Sequence, residues 1–160
     1  MSRVKNLLVD VRAHPLVMAA LDQWARLFPA AYYLGNQTVL LRTVFGQSLY
    51  LDTRDTTLTP RLMLDGYWEK NVTRALLQFL SPGATFVEIG SNLGYFTTLA
   101  AARVGSSGRV YAFEANPSVA DLLERNVALN GQQGWVRVVR QAVSDSVGEA
   151  AFHCFKYEQG

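Results

Sequence analysis

The chain has 160 residues, 49% hydrophobic and 18% charged, enough for one packed domain and too few for two of ordinary size. A formal charge of +2, with basic residues never forming a block, argues against a nucleic-acid surface, and no run approaches the ~20 apolar residues of a membrane span. The single cysteine, Cys154, excludes an intrachain disulfide, and His14 and His153 stand too far apart for metal-ligand spacing; with no signal-peptide pattern, a cytoplasmic protein is the expectation.

Pro15 suits the first turn of a helix in which Val17, Leu21, Trp24, Leu27 and Phe28 recur at helical spacing until Pro29 stops it. Residues 38–45 and 48–52 read as two strands of a hairpin around Gly46-Gln47. A polar stretch, 53–60, follows. From 69 to 80 the period is helical again, with Val72, Leu76, Leu77 and Leu80 on one face. These readings divide the chain into an N-terminal helical segment (1–32), a hairpin and helix (33–80) and a core (81–160).

Within the core the alternation changes. Ser81-Pro82-Gly83 is a turn, 85–89 a short apolar strand, 90–94 a loop and 95–104 a helix with Phe96, Leu99 and Ala100 inward. A second strand, 109–114, leads to a helix opened by Pro117, in which Val119, Leu122, Leu123, Val127 and Leu129 keep the period. Asn130-Gly131 ends it in a manner suited to a left-handed cap. Residues 135–144 read as a third strand, 145–149 as a turn and 150–157 as a fourth, antiparallel strand. Strand–helix–strand–helix–strand with short connections predicts an α/β fold with a parallel sheet.

Three features fall at the carboxyl ends of successive strands, where open α/β sheets bind ligands. The first is Glu88-Ile89-Gly90-Ser91-Asn92-Leu93-Gly94, where a strand passes into a helix. Its glycines permit a sharp turn and close approach of a ligand to the backbone. A dinucleotide loop needs G-x-G-x-x-G to receive a pyrophosphate, but here Asn92 and Tyr95 stand at the later glycine positions. E-x-G-x-x-x-G instead suits a ligand with an ammonium and no phosphate at that point, as in S-adenosylmethionine, with Glu88 attracting the ammonium. The second feature is Glu114, 26 residues on and followed by Ala115, placed to accept ribose hydroxyls. The third is Gln141-Ala142-Val143-Ser144-Asp145, where backbone groups face an adenine edge. Each has a plainer alternative. Gly90 and Gly94 can serve a tight turn alone, Glu114 a solvated cap, and Asp145 a turn.

The runs Phe86–Thr97, Val110–Pro117, Asn126–Gly131 and Ala142–Asp145, with the upstream Gly66-Tyr67-Trp68-Glu69, closely resemble the FkbM family of S-adenosylmethionine-dependent methyltransferases over roughly residues 33–155. The resemblance implies a Rossmann-like class I methyltransferase fold and O-methylation of a small-molecule or saccharide hydroxyl. It also implies that Glu88, Gly90, Ser91, Asn92 and Gly94 hold the methionine end of the cofactor. Glu114 and Ala115 would hold the ribose, and Ala142 and Asp145 would lie near adenine. Ser91 replaces the family's common alanine. Glu69 is left with two roles, touching the cofactor or capping its helix. No general base is assigned, and His153 reads as a surface or structural residue.

The family's later strand bearing Lys-x-Asp-x-Glu-Gly has no counterpart here, so the resemblance implies a sheet truncated after the third parallel strand. Its edge would be open to self-association or to a completing partner. Two other functional classes stay in view. One is a nonenzymatic remnant or partner-binding module; the other is a nicotinamide-dependent oxidoreductase, which the missing middle glycine disfavours.

Overall fold

The computed structural model describes residues 15–20 and 31–149. Residues 15–20 are helical. The rest of the expected first helix, the antiparallel strand at 150–157, His14, His153 and Cys154 lie outside the described residues.

Among the described residues, two three-stranded sheets organise the fold. The first is antiparallel, in the order β1 (Ala31–Gly35), β2 (Thr38–Arg42), β3 (Ser48–Asp52). The expected two-strand hairpin is therefore one half of a meander, and β2 ends at Arg42 rather than at residue 45. β1 joins β2 through Asn36 and Gln37 at φ 46 and 59, the doubly left-handed geometry that two-residue hairpins require. β2 and β3 alternate in and out, so Val39 and Leu41 pair across the ladder with Leu51 and Leu49, all four buried.

A helix, α1 (Leu58–Asp65), begins within the last three residues of the polar stretch 53–60 and runs beyond it. The Asp55 carboxylate explains its start, accepting from the backbone N–H groups of Thr57 (2.9 Å), Leu58 (3.3 Å) and Thr59 (2.7 Å). Leu58 and Leu62 join the core, and Gly66 at φ 73 ends the helix with its N–H on Leu62 O. α2 (Lys70–Phe79) buries Thr73, Leu76 and Leu77. Val72, expected on the apolar face, is exposed instead, because the covered stripe is centred one position further round.

The second sheet is parallel, β4 (Thr85–Ile89), β5 (Arg109–Phe113), β6 (Val136–Val139), in that spatial order. α3 (Tyr95–Val104) and α4 (Pro117–Leu129) bridge the successive strands, as parallel pairing demands. Asn116 caps α4 by accepting from Ser118 N at 3.1 Å, with Pro117 in the first turn. β6 is shorter than the expected 135–144: pairing with β5 stops at Val139, and residues 140–149 run exposed. On α4, Ala120, Leu123, Asn126 and Val127 are buried while Leu129 is 37% exposed, so an asparagine takes a place on the core face.

Candidate functional site

Parallel pairing puts Glu88 level with Ala112, so Glu88, Ala112 and the next-but-one residue, Glu114, project to the same face. The loop after β4 then turns back on β5: the N–H groups of Gly90 and Ser91 both donate to Phe113 O at 2.9 Å. Glu114 closes the arrangement. One carboxylate oxygen accepts from Asn92 N and the other from Asn116 N, each at 2.9 Å. Each oxygen keeps a lone pair for a further donor, such as a sugar hydroxyl.

Glu88 is the more enclosed of the two acids. Burial pushes its carboxyl up to about 7, the proximity of Glu114 adds to the rise, and hydrogen bonds from Thr97 and Ser91 oppose it. The Thr97 hydroxyl donates to Glu88 Oε2 at 2.5 Å. A buried carboxylate facing a second carboxylate is stabilised by any cation that comes to rest beside it.

The glycines differ in what they permit. A Cβ on Gly90 would meet nothing within 4 Å, so that residue leaves an open cradle; at φ 74 it also takes a conformation that side chains disfavour. Gly94, at φ 93, abuts α4, and a Cβ there would overlap Leu123 Cδ1. Gly90 therefore faces a ligand space, and Gly94 fits a packing constraint.

A cavity of about 680 Å³ opens beside β4. Glu69, Glu88, Gly90, Ser91 and Asn92 line it together with residues of α2 and β4, among them Leu76, Phe79 and Val87. Glu69 precedes α2 in the left-handed region (φ 40) and makes no side-chain capping bond to that helix. Trp68, Tyr95 and Phe96 stand around the same space, and Thr73 Oγ1 ties this wall together by donating to Trp68 O at 2.5 Å and meeting Tyr95 Oη at 3.2 Å.

The structure thus brings five of the sequence-derived residues to the lining of one cavity, with Glu114 touching the loop from β5. Ala115 follows Glu114 toward the α4 cap, half-buried. Ala142 and Asp145 do not join them: both are exposed, beyond the end of β6, and neither lines the cavity. Two contributors lie within the runs that resemble the family, but the sequence alone gives neither a role. Thr97, one turn into α3, reads as an ordinary helix residue until its hydroxyl is seen on Glu88. Asn126, in the third turn of α4, shows its role only once its side chain is seen buried against β3 and the loop.

Residues 88–158 match the methyltransferase FkbM domain family. Over this stretch the chain is similar to the FkbM methyltransferases. A protein-L-isoaspartate O-methyltransferase from Aeropyrum pernix is 37% identical over 70 residues, 42% of this chain and 27% of that protein, so the match spans about a quarter of the relative's length. Among solved structures, the M. jannaschii tRNA m1G37 methyltransferase superposes with a TM-score of 0.52 at 19% identity, covering 67% of this chain and 31% of that one. Methanocaldococcus jannaschii Trm5 in complex with adenosine does so with a TM-score of 0.52 at 17% identity, covering 69% and 31%. At these identities the likeness is one of fold. The architecture is that of the Rossmann-like class I methyltransferases, and the FkbM stretch carries both acids and the whole glycine loop. Among the described residues no helix is long and apolar enough to cross a membrane, and no cluster of potential metal ligands occurs.

Proposed function

We propose that this chain binds S-adenosylmethionine at the Glu88–Gly94 loop and serves O-methylation of a hydroxyl on a small molecule or saccharide. The observation that carries the reading is the convergence of Glu88 and Glu114 on one face of the sheet, on either side of a loop whose Gly90 is open to a ligand. The donor set fits the nucleoside. Glu88 suits the methionine ammonium, Gly90, Ser91 and Asn92 offer a close backbone, and Glu114 has lone pairs left for ribose hydroxyls. Glu69 joins the methionine end, since it lines the cavity without capping α2. Ala115 would flank the ribose, and Ala142 and Asp145 would reach adenine through the exposed segment after β6.

When bound, S-adenosylmethionine supplies a methyl group already activated on a sulfonium sulfur. The residues of the chain then have an orienting task, the kind of effect worth ~7–11 kcal/mol in a well-aligned bimolecular reaction. Partly buried Glu88 fixes the amino-acid end, Glu114 holds loop and ribose in register, and Trp68, Tyr95 and Phe96 supply an aromatic wall beside them. A +2 charge without a basic block favours a neutral or saccharide acceptor over RNA.

Calorimetric titration with S-adenosylhomocysteine, S-adenosylmethionine and NAD tests the cofactor. Micromolar affinity for the first two and none for NAD is expected; tight NAD binding, or a folded chain that binds none of them, refutes the reading. Radiolabelled methyl transfer to saccharide, small-molecule phenol and tRNA pools tests the acceptor class, with label in the tRNA fraction as the refuting outcome.

A further inference from the structure

The loop after β4 follows an unusual backbone path. Gly90, Asn92 and Gly94 lie at φ 74, 49 and 93, and Asn92 has a side chain to accommodate there. The N–H groups that hold this path are engaged within the parallel half of the molecule. Those of Gly90 and Ser91 go to Phe113 O, that of Asn92 to Glu114, that of Leu93 to Asn92 Oδ1 at 2.7 Å and that of Gly94 to Ser91 O at 3.0 Å. The Leu93 carbonyl is bonded elsewhere: it accepts from Asn126 Nδ2 on α4 at 2.8 Å.

Asn126 is fully buried on a helix face otherwise made of Ala120, Leu123 and Val127, a setting in which an amide is tolerated only when its polar atoms are satisfied. Its partners come from two different parts of the fold. Besides Leu93 O, Nδ2 donates to Tyr50 O at 3.0 Å, and Oδ1 accepts from Tyr50 N at 2.7 Å. The side chain therefore pairs with the backbone of β3 as a neighbouring strand would, while holding the loop with the same nitrogen. One turn later, Asn130 pairs with Ser48 in the same way, Oδ1 accepting from Ser48 N at 3.0 Å and Nδ2 donating to Ser48 O at 2.7 Å. Its other bond goes to the Asn126 carbonyl, so Asn130 clamps β3 without touching the loop.

We propose that Asn126 is a positioning residue for the cofactor loop: by joining the backbone of Tyr50 on β3 to the Leu93 carbonyl, it makes this one link a determinant of cofactor affinity. The inference rests on the reading that this loop binds S-adenosylmethionine. Asn130 supplies the internal control, being equal in its clamp on β3 and distinct in its lack of a loop contact. Coupling of this kind is reciprocal, so ligand on the loop must also tighten the Tyr50 pairing.

The test measures S-adenosylhomocysteine affinity and Tm for the wild type, Asn126→Ala, Asn126→Asp and Asn130→Ala. All three variants melt lower than the wild type. Asn130→Ala keeps the wild-type Kd, and both Asn126 variants bind about tenfold more weakly, the equivalent of one hydrogen bond. Equal Kd values across the Asn126 and Asn130 variants, whether weakened together or unchanged together, overturn the proposal and leave Asn126 a structural clamp. Amide exchange on the wild-type chain decides the matter even if no Asn126 variant folds. Saturating S-adenosylhomocysteine slows exchange at Tyr50 N–H more than at Ser48 N–H; an equal response at the two sites refutes the coupling. A wild-type chain that binds no S-adenosylhomocysteine fails the cofactor reading itself, an outcome distinct from normal binding with equal variant effects.

Discussion

In β2 and β3 every second side chain is buried, Val39 opposite Leu51 and Leu41 opposite Leu49, whereas β4 is half-covered on one face and open on the other. Phe86 and Glu88 are partly buried, while Val87 and Ile89 are 54% and 65% exposed. The antiparallel sheet needs cover on one side, and the core cluster that includes Leu58 and Leu62 supplies it. A parallel strand with a continuous apolar sequence is suited to cover on both sides, and among the described residues β4 has it on one. The deepest packing lies in the antiparallel sheet and on α3 and α4, and the acids and glycines lie at the thinly covered end of β4.

Substitutions across the two sheets should separate these roles, and the largest effect belongs to the packed one. Leu49→Ala, at a side chain with no exposure, is expected to cost ~2–5 kcal/mol in denaturant unfolding. Next comes the pH dependence carried by Glu88, whose carboxyl is raised from 4.5 to about 7 in the folded chain. The neutral form is the one the fold favours, so its contribution is complete below pH 4.5 and is lost as pH rises through 7. Urea melts at pH 5 and pH 8 should show a loss of roughly 3 kcal/mol at most that Glu88→Gln abolishes. Cofactor binding runs the other way. An ammonium favours ionised Glu88, so S-adenosylhomocysteine affinity should rise across the same window in the wild type by more than it does in Glu88→Gln.

Glu114→Ala should weaken S-adenosylhomocysteine binding by about 10–100-fold, as expected for the loss of charged hydrogen bonds, with a smaller change in Tm; calorimetry on the folded variant checks it. The smallest effect is expected at the open face of β4. Ile89→Thr should alter unfolding free energy by no more than ~0.5 kcal/mol, and a larger loss would mean that this face is covered in solution.

The parallel half was the more legible in the sequence. Strand 85–89, helix 95–104 and helix 117–129 have the bounds that periodicity and Pro117 imply, because each carries its own start and stop signals. β1 was hidden because three of its five residues, Tyr32, Tyr33 and Leu34, are exposed, and its turn uses Asn36-Gln37 instead of a glycine pair. α1 was hidden because Thr57, Thr59 and Pro60 read as loop chemistry, yet proline is compatible with the first turn of a helix and Asp55 supplies the missing acceptor. At the site, spacing was enough to nominate Glu88, Gly90 and Glu114. Asn126 depends on contacts with elements far apart in sequence, which no local pattern encodes, and Thr97 meets Glu88 only nine residues away, a contact that depends on how the loop folds the start of α3 back on β4.

The contact of Gly94 with Leu123 has a consequence for how such sequences can drift. The helix that carries Asn126 also carries the isobutyl group that any side chain at the last loop residue would have to displace. One helix face thus limits both what may occupy position 94 and how Leu93 is held. Changes on α4 and changes in the loop cannot accumulate independently: a smaller residue at 123 relieves one barrier at 94 while the left-handed φ of 93° keeps the other in force. Graft designs that transplant the loop without its supporting helix should inherit the backbone conformation and lose what enforces it.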